Sequence, residues 1–260
     1  MPNVSKNIRR KKILDKLNIY DKIYVTALAE ELQVTTETIR RDLDYLDSNR
    51  LLKKVFGGAV KLKDTNLELS YEKRSKYKSE EKRLIASNAA EMIDDNDSVA
   101  ILGGSTTEQM VPFLLKKNNL TVITNSITIA NKLTIYQGTS QFNGQILLLG
   151  GKTNPSTMAA SGYFTEQFLS SLSFNKAFLS CGGFSFDSIS TYMAEHIRLS
   201  QILLEKADVS ILLADSSKLN VKNLYKFANL KDIDVLVTNV EMPKEWNRYS
   251  NDLHLDWINK

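Results

Sequence analysis

The dodecapeptide TTETIRRDLDYL, Thr35 to Leu46, sets two arginines side by side inside a helical pattern and follows them at once with an acid. Ile39, Leu43 and Leu46 recur at i, i+4 and i+7, so a helix beginning at Thr36 buries one face through them. Thr36 and Arg40, four residues apart, then share an outward face, with Arg41 about 100° further round. Arginine pairs bidentately with guanine in the major groove, and hydroxyls and backbone N–H groups at a helix start suit phosphates. Glu37 favours the helix dipole and can accept from a cytosine. Asp42 and Asp44 repel a phosphate backbone, so they are expected to point away from it. The ordinary alternative is a solvated face on which Arg40 and Arg41 pair with Asp44 and Glu37.

Reading outward, KNIRRKKILDKL (6–17) places Ile8, Ile13, Leu14 and Leu17 near one side of a first helix that breaks at Asn18. In ALAEELQV, Leu28, Ala29 and Leu32 recur at helical spacing after Thr26 as a possible cap, and Gln33 to Thr35 is a tight connection. RLLKKVFGGAVKL (50–62) reads as a hairpin turning at Gly57-Gly58. Three helices and a hairpin make a winged helix-turn-helix over residues 1–60. Its candidate DNA contacts are Thr35, Thr36, Thr38, Arg40, Arg41, Lys53 and Lys54. Charge agrees: residues 1–63 hold fourteen Lys and Arg against eight Asp and Glu, whereas the rest of the chain is slightly acidic. Such an end suits a polyanion, although a solvated lysine-rich terminus has the same composition.

Residues 61–78 are polar and weakly periodic, a linker that becomes helical near Ser79, where the next helix buries Leu84, Ile85, Ala89 and Met92. From there to residue 260 strands and helices alternate. Continuous apolar runs at 99–102, 120–124, 145–150, 176–181, 209–214 and 235–238 read as strands buried on both faces. Helical patterns fall at 106–117, 126–136, 163–172 and 191–206, the first interrupted by Pro112. Six strands with interposed helices imply an α/β domain on a largely parallel sheet. GGSTT (103–107) lies between a strand and a helix, where N–H groups and hydroxyls can hold a phosphate, although small polar residues are also ordinary loop material. Asn125, Gly150-Gly151, Gly182-Gly183 and Asp215 all follow strands, at the carboxyl ends that form the ligand crevice of an open parallel sheet.

A single cysteine, Cys181, and two histidines, His196 and His254, supply neither a disulfide framework nor a metal cluster, and no cofactor is expected. The basic N-terminus lacks the apolar region of a signal peptide, and no run is long enough to span a bilayer; the chain reads as cytoplasmic. The first helix also lacks the aromatic-anchored apolar face of a membrane-surface helix.

VTTETIRRDLDYLDSNRLLKKVFGGAV (34–60) resembles the helix-turn-helix and wing signature of the DeoR family of bacterial sugar-operon regulators. YEKR and EEKRLIA (71–86), GGSTT, VITNS (122–126), LLGGK (148–152), Gly182-Gly183 and DSSK (215–218) follow in the family's order and spacing. The resemblance implies a winged helix-turn-helix followed by a ribose-5-phosphate-isomerase-like effector domain that binds a phosphorylated sugar or related metabolite. It implies that Gly104, Ser105, Thr106 and Thr107 hold phosphate and that Asp215 and Lys218 meet the sugar. It also implies that Arg74 and Lys82, which fall where the family carries basic residues ahead of the sheet, reach the same ligand, and Asn125, Gly151 and Gly183 complete the candidate set. Each also has a structural role open to it: Lys218 as a solvated loop charge, Asp215 as a helix cap, Arg74 and Lys82 as parts of an exposed amphipathic segment. Two positions depart from the family: Leu102 stands where an aspartate is common, and AEHIRLSQ offers Glu195, His196 and Arg198 at altered positions. They imply either an effector unlike the common ones or a weakened site.

The expected function is therefore a homo-oligomeric repressor of a carbohydrate-utilisation operon, not an enzyme, that binds operator DNA and is released by a sugar phosphate. The rival is a sugar-phosphate isomerase-like enzyme with an accessory DNA-binding domain, for which Glu195, Asp215 and His196 are the candidate bases. His196 is expected on a helix surface.

Overall fold

The structure, a computed structural model, describes residues 6–20, 22–49, 51–60, 70–246 and 254–259, and separates into units Met1–Leu67 and Glu68–Lys260. Residues 1–5, 50 and 61–69, on which the basic-terminus, wing and linker readings partly rest, lie outside the described residues.

The first unit runs α1 (Lys6–Tyr20), β1 (Lys22–Tyr24), α2 (Val25–Glu31), α3 (Thr36–Ser48), β2 (Lys53–Val55) and β3 (Gly58–Val60). Its core gathers Ile13, Leu17, Val25, Leu28, Leu32, Ile39, Leu43, Leu46 and Leu52, so the α3 periodicity places its face correctly. α1 departs from expectation: it continues to Tyr20 and leaves Ile8 exposed, while Arg9 is buried. α2 starts one residue before Thr26, which caps nothing. The wing is a three-stranded antiparallel sheet, because β1 pairs with β3 on the side opposite β2. That pairing needs a glycine at Gly58, where a Cβ would lie 2.0 Å from the Ile23 carbonyl oxygen.

The second unit opens with α4 (Tyr71–Lys76) and α5 (Ser79–Glu91). The segment expected to be linker up to residue 78 thus holds a helix, hydrogen-bonded from Tyr71 N–H to the Ser156 carbonyl at 3.1 Å. α5 buries Ile85 and Ala89 as expected, together with Lys82, Ala86 and Ala90, whereas Leu84 is exposed and Met92 only half-buried at the helix end. Then follow β4 (Ser98–Ile101), a 3₁₀ turn at Thr107–Met110, α6 (Val111–Leu114), β5 (Thr121–Thr124), α7 (Ile127–Gly138) and β6 (Gln145–Leu148). Pro112 sits in the first turn of the short α6, where its missing N–H costs nothing. The chain continues through β7 (Lys152–Asn154), β8 (Ala159–Ser161), α8 (Tyr163–Ser170), β9 (Phe174–Ser180), β10 (Gly183–Ser185), β11 (Ser188–Thr191), α9 (Glu195–Lys206), β12 (Ala207–Ala214), β13 (Tyr225–Ala228), β14 (Val235–Thr238) and β15 (Asp256–Ile258).

Seven strands form one parallel sheet in the order β15-β14-β12-β9-β4-β5-β6. The six expected strands are all in it, and β15 is the seventh. β6 is an edge strand, so its apolar run is half-exposed rather than buried on both faces, with Leu148 49% exposed. One face packs on α5, α6 and α7 through Ile85, Ala89, Leu114, Ile129 and Leu133. The other packs on α8, α9 and the antiparallel sheet β10-β11-β13 through Leu169, Leu203, Phe184, Ile189 and Phe227. From β4 the chain winds outward through β5 and β6, then returns to β9 on the other side and winds out to β15. The reversal between β4 and β9 is a topological switch point, where an open parallel sheet leaves a crevice beyond its carboxyl ends.

Candidate nucleic-acid interface and effector crevice

On α3 the Thr35 hydroxyl caps the helix, accepting from Thr38 N–H at 3.2 Å, and lies 2.9 Å from the Thr38 hydroxyl. Thr36 is half-buried on the first turn. Arg40 and Arg41 project into solvent, their side chains 57% and 79% exposed, with Glu37 3.8 and 3.4 Å away. Exposed ion pairs at these separations are weak, so both guanidinium groups remain available to a stronger anion. Asp42 turns inward, as expected, and takes Arg9 Nε at 2.5 Å and Arg10 Nε at 2.9 Å. Arg10 also lies 3.4 Å above the centre of the Tyr45 ring. Two cations of the basic first helix are thereby committed to holding α1 against α3. Asp44 pairs with Lys54, so of the two wing lysines Lys53 is exposed and Lys54 half-buried. The wing tip carries Phe56, fully exposed beside Gly57, which has φ +77°. Sequence reading missed Phe56 because it looked like ordinary strand material.

In the second unit the crevice at the switch point is lined by Leu102, Gly103, Asn125, Ser180, Cys181, Gly182, Thr191, His196, Ser200 and Arg74, and encloses about 40 Å³. That is room for a few waters. Of the expected residues, Arg74 and Asn125 line it. Asn125 is a clamp: its Oδ1 accepts from Gly103 N–H at 2.8 Å and its amide donates to the Ala160 carbonyl at 2.8 Å. Gly104 lies against Ser180, whose Oγ would be 2.1 Å from a Cβ there. Thr107 is fully buried and its hydroxyl donates to the Leu102 and Gly104 carbonyls at 2.7 and 3.1 Å, so it shapes the turn and has no hydrogen left for a phosphate. Ser105 and Thr106 are buried on the same turn.

Gly151 and Gly183 fall outside the crevice lining. Gly151 packs on Thr165 at the start of α8, and Gly183 packs on Val221; Gly182 takes the lining position. His196 lines the crevice instead of lying on an outer helix surface, with Nδ1 3.5 Å from the Thr191 hydroxyl. Leu102, the departure from the family pattern, presents an apolar wall there. Burial pushes the Cys181 thiol up to about 12.

The charged residues gather beside the Gly104–Thr107 turn. Lys82 is 3% exposed, and its ammonium donates to the Arg74 carbonyl at 2.5 Å and to Ser105 Oγ at 3.1 Å. Burial is the main cause lowering its pKa to about 8; Asp215 opposes the fall and the Lys218 and Arg74 cations add to it. The preceding residue, Glu81, accepts from Lys78 at 2.9 Å, from Ser216 Oγ at 2.9 Å and from Asn239 at 2.6 Å. Asp215 is fully buried; its Oδ1 caps the next turn, accepting from Ser217 N–H at 2.9 Å and Oγ at 2.5 Å. Its Oδ2 finds no hydrogen-bond partner among the described residues. A buried carboxylate oxygen without a donor, in the neighbourhood of Lys82, suits a ligand bearing a hydroxyl. Among the described residues no cluster of His, Cys, Asp and Glu is arranged to hold a metal, and no helix is long and apolar enough to cross a membrane.

Residues 9–65 match the DeoR-like helix-turn-helix domain, and residues 77–240 match the DeoR C terminal sensor domain. The lactose phosphotransferase system repressor of Staphylococcus epidermidis is 33% identical over 236 residues, 90% of this chain and 92% of that one. The HTH-type transcriptional repressor GlcR of Bacillus subtilis is 35% identical over 226 residues, 87% of this chain and 85% of that one. Among solved structures, ribose 5 phosphate isomerase A from Neisseria gonorrhoeae overlaps 56% of this chain and 55% of its own at 18% identity, with a TM-score of 0.39. With a helix-turn-helix match at the N-terminus, a sensor match along most of the remainder, and regulators alike over nearly the whole length, the chain belongs to the DeoR family of transcriptional regulators.

Proposed function

We propose that this chain is a cytoplasmic, homo-oligomeric repressor of a carbohydrate-utilisation operon whose hold on operator DNA is released by a phosphorylated sugar. Arg40, with Thr36 on the same face, reads base edges; Arg41, Lys53 and the α3 N-terminus clamp phosphates. The observation that carries the effector half is the buried Lys82 ammonium, which joins the Gly104–Thr107 turn to the backbone of α4. A phosphate entering beside that turn competes for the ammonium with the Arg74 carbonyl. The crevice is too small for a sugar phosphate as it stands, and Arg74 on α4 forms part of its wall. Ligand entry therefore displaces α4, the first described element after residues 61–69, which connect to the DNA-binding unit. Coupling requires only that the ligand favour the displaced arrangement over the closed one.

The test is operator binding in a gel-shift titration against a panel of sugar phosphates. One member should release the wild-type protein, and the Lys82→Met protein should bind operator normally but resist release. No release by any member, with no thermal shift, would overturn the effector half. His196 on the crevice wall keeps an isomerase reading in play; turnover of any panel member by the purified protein would favour it.

A further inference from the structure

We propose that the edge strand β6, together with the aromatic face of α8, is the surface through which two copies of this chain associate. The proposal deepens the homo-oligomer reading above by assigning it a place. β6 ends the parallel sheet, so the backbone groups on its outer side have no strand partner among the described residues. Ile146 packs into the core on the α7 side and Leu147 into the core on the α8 side, so by alternation Leu148 falls on the α7 side, where it is 49% exposed. α8 is pinned beside the end of this strand, since Thr165 Oγ1 donates to the Gly150 carbonyl at 2.6 Å. From there Tyr163, Phe164 and Phe168 project 68%, 76% and 42% exposed, the first two rings stacked edge to face at 5.7 Å.

Area and charge indicate the occupant. At roughly 200 Å² per large side chain, the three α8 rings leave about 370 Å² of mainly apolar surface uncovered, with Leu148 exposed at the strand edge on the other side of the sheet. A standard interface buries about 800 Å² per partner, a little over half of it apolar, so this face supplies most of the apolar share. Residues 145–174 contain one cation, Lys152, and one anion, Glu166. A neutral face attracts neither nucleic acid nor a charged peptide, but it is compatible with its own copy, as an isologous contact requires. An unpaired edge is likewise its own complement, because two β6 strands related by a two-fold axis pair antiparallel. Winged-helix proteins that read two half-sites need such a pairing.

Full-length protein and a Phe164→Glu, Phe168→Glu double variant would be compared by sedimentation velocity across a concentration series. The wild type should self-associate, and the variant should dissociate about a hundredfold or more readily with an unchanged melting temperature, since neither ring is part of the core. A Leu148→Cys variant, which leaves the rings intact, should form a disulfide-linked dimer faster than a Lys231→Cys control. A wild-type monomer that stays monomeric on operator would overturn both this surface and the homo-oligomer reading. Association unaffected by the double variant, with no faster cross-linking at Leu148→Cys, would overturn the surface alone. Concentration-independent protection of α8 and β6 from hydrogen exchange in a monomer, lost when residues 1–67 are displaced, would assign the face to the chain's own first unit and also overturn it.

Discussion

Replacing Lys82 by methionine should stabilise the unliganded protein while disabling its response to effector. The ammonium is held with its pKa lowered from 10.5 to about 8, mainly by burial, which amounts to about 3 kcal/mol against folding whenever the group is charged. Methionine keeps the length and removes that penalty. It also strips a donor from the Arg74 carbonyl and from Ser105 Oγ, at about 1 kcal/mol each. The net gain is about 1 kcal/mol, or roughly 2–4 °C in the melting temperature of the second unit. The pH dependence isolates the cause. Below pH 8 the folded and unfolded chains both carry the proton, and the penalty is full. Between about 8 and 10.5 the folded protein has shed a proton that the unfolded chain retains, so wild-type stability rises by about 3 kcal/mol across that window, an increment the variant lacks. Effector affinity should run the other way, falling in the wild type as pH passes 8 and the cation is lost. Scanning calorimetry from pH 6.5 to 10.5 on both proteins reads the first effect, and titration calorimetry with the active sugar phosphate reads the second. A lower melting temperature for the variant at pH 7, or equal pH slopes for the two proteins, would show that Lys82 is a structural tie rather than a cation held in wait.

The DNA-binding unit yields three more expectations. Arg40→Ala should cost about 1–3 kcal/mol on cognate operator and relax sequence preference, whereas Arg41→Ala should weaken all sequences alike and reduce the slope of log affinity on log salt by about one; identical behaviour in quantitative gel shifts would reject the division of labour. Asp42→Ala should abolish the first unit's unfolding transition in calorimetry, because stranding Arg9 and Arg10 costs about 3–5 kcal/mol; a loss below about 1 kcal/mol would mean that the arginines re-solvate. Phe56→Ser should leave stability within about 0.5 kcal/mol, since the ring is wholly exposed, yet weaken operator binding; unchanged affinity in fluorescence anisotropy would make the wing tip a bystander.

Periodicity placed the elements well because it reports on burial directly. Ile39, Leu43 and Leu46 point inward as their spacing requires, and the six apolar runs all enter one sheet. What spacing does not carry is sheet order, so nothing in QILLLG reveals that β6 is an edge, or in the C-terminal LDWI that it adds a seventh strand. The crevice was readable in part, because glycines and small polar residues after strands mark the carboxyl end of a sheet. Which of them face the crevice depends on the switch point. The reversal at β4 and β9 puts Gly103, Ser180 and Gly182 on the wall and sends Gly151 out to the rim beside α8.

The misreadings that matter for function share one cause: a charge or hydroxyl in a sequence says what it can bind and not what it already binds. Arg9, Arg10 and Lys54 count toward a basic field, yet Asp42 and Asp44 claim them, so the operator meets fewer free cations than the composition of residues 1–63 promises. Thr107 belongs to a phosphate-like turn, yet its hydrogen serves the Leu102 and Gly104 carbonyls. Lys82 errs in the opposite sense. On an amphipathic segment it looks like a solvated charge, but it lies on the buried stripe of α5 with Ile85 and Ala89, and its neighbours include two further cations. A buried ammonium is destabilising unless counter-charge offsets its burial, and Asp215 offsets only part of it, since the Lys82 pKa still falls to about 8. The fold thus carries a cost at Lys82 that, under the proposed effector reading, a bound anion would offset.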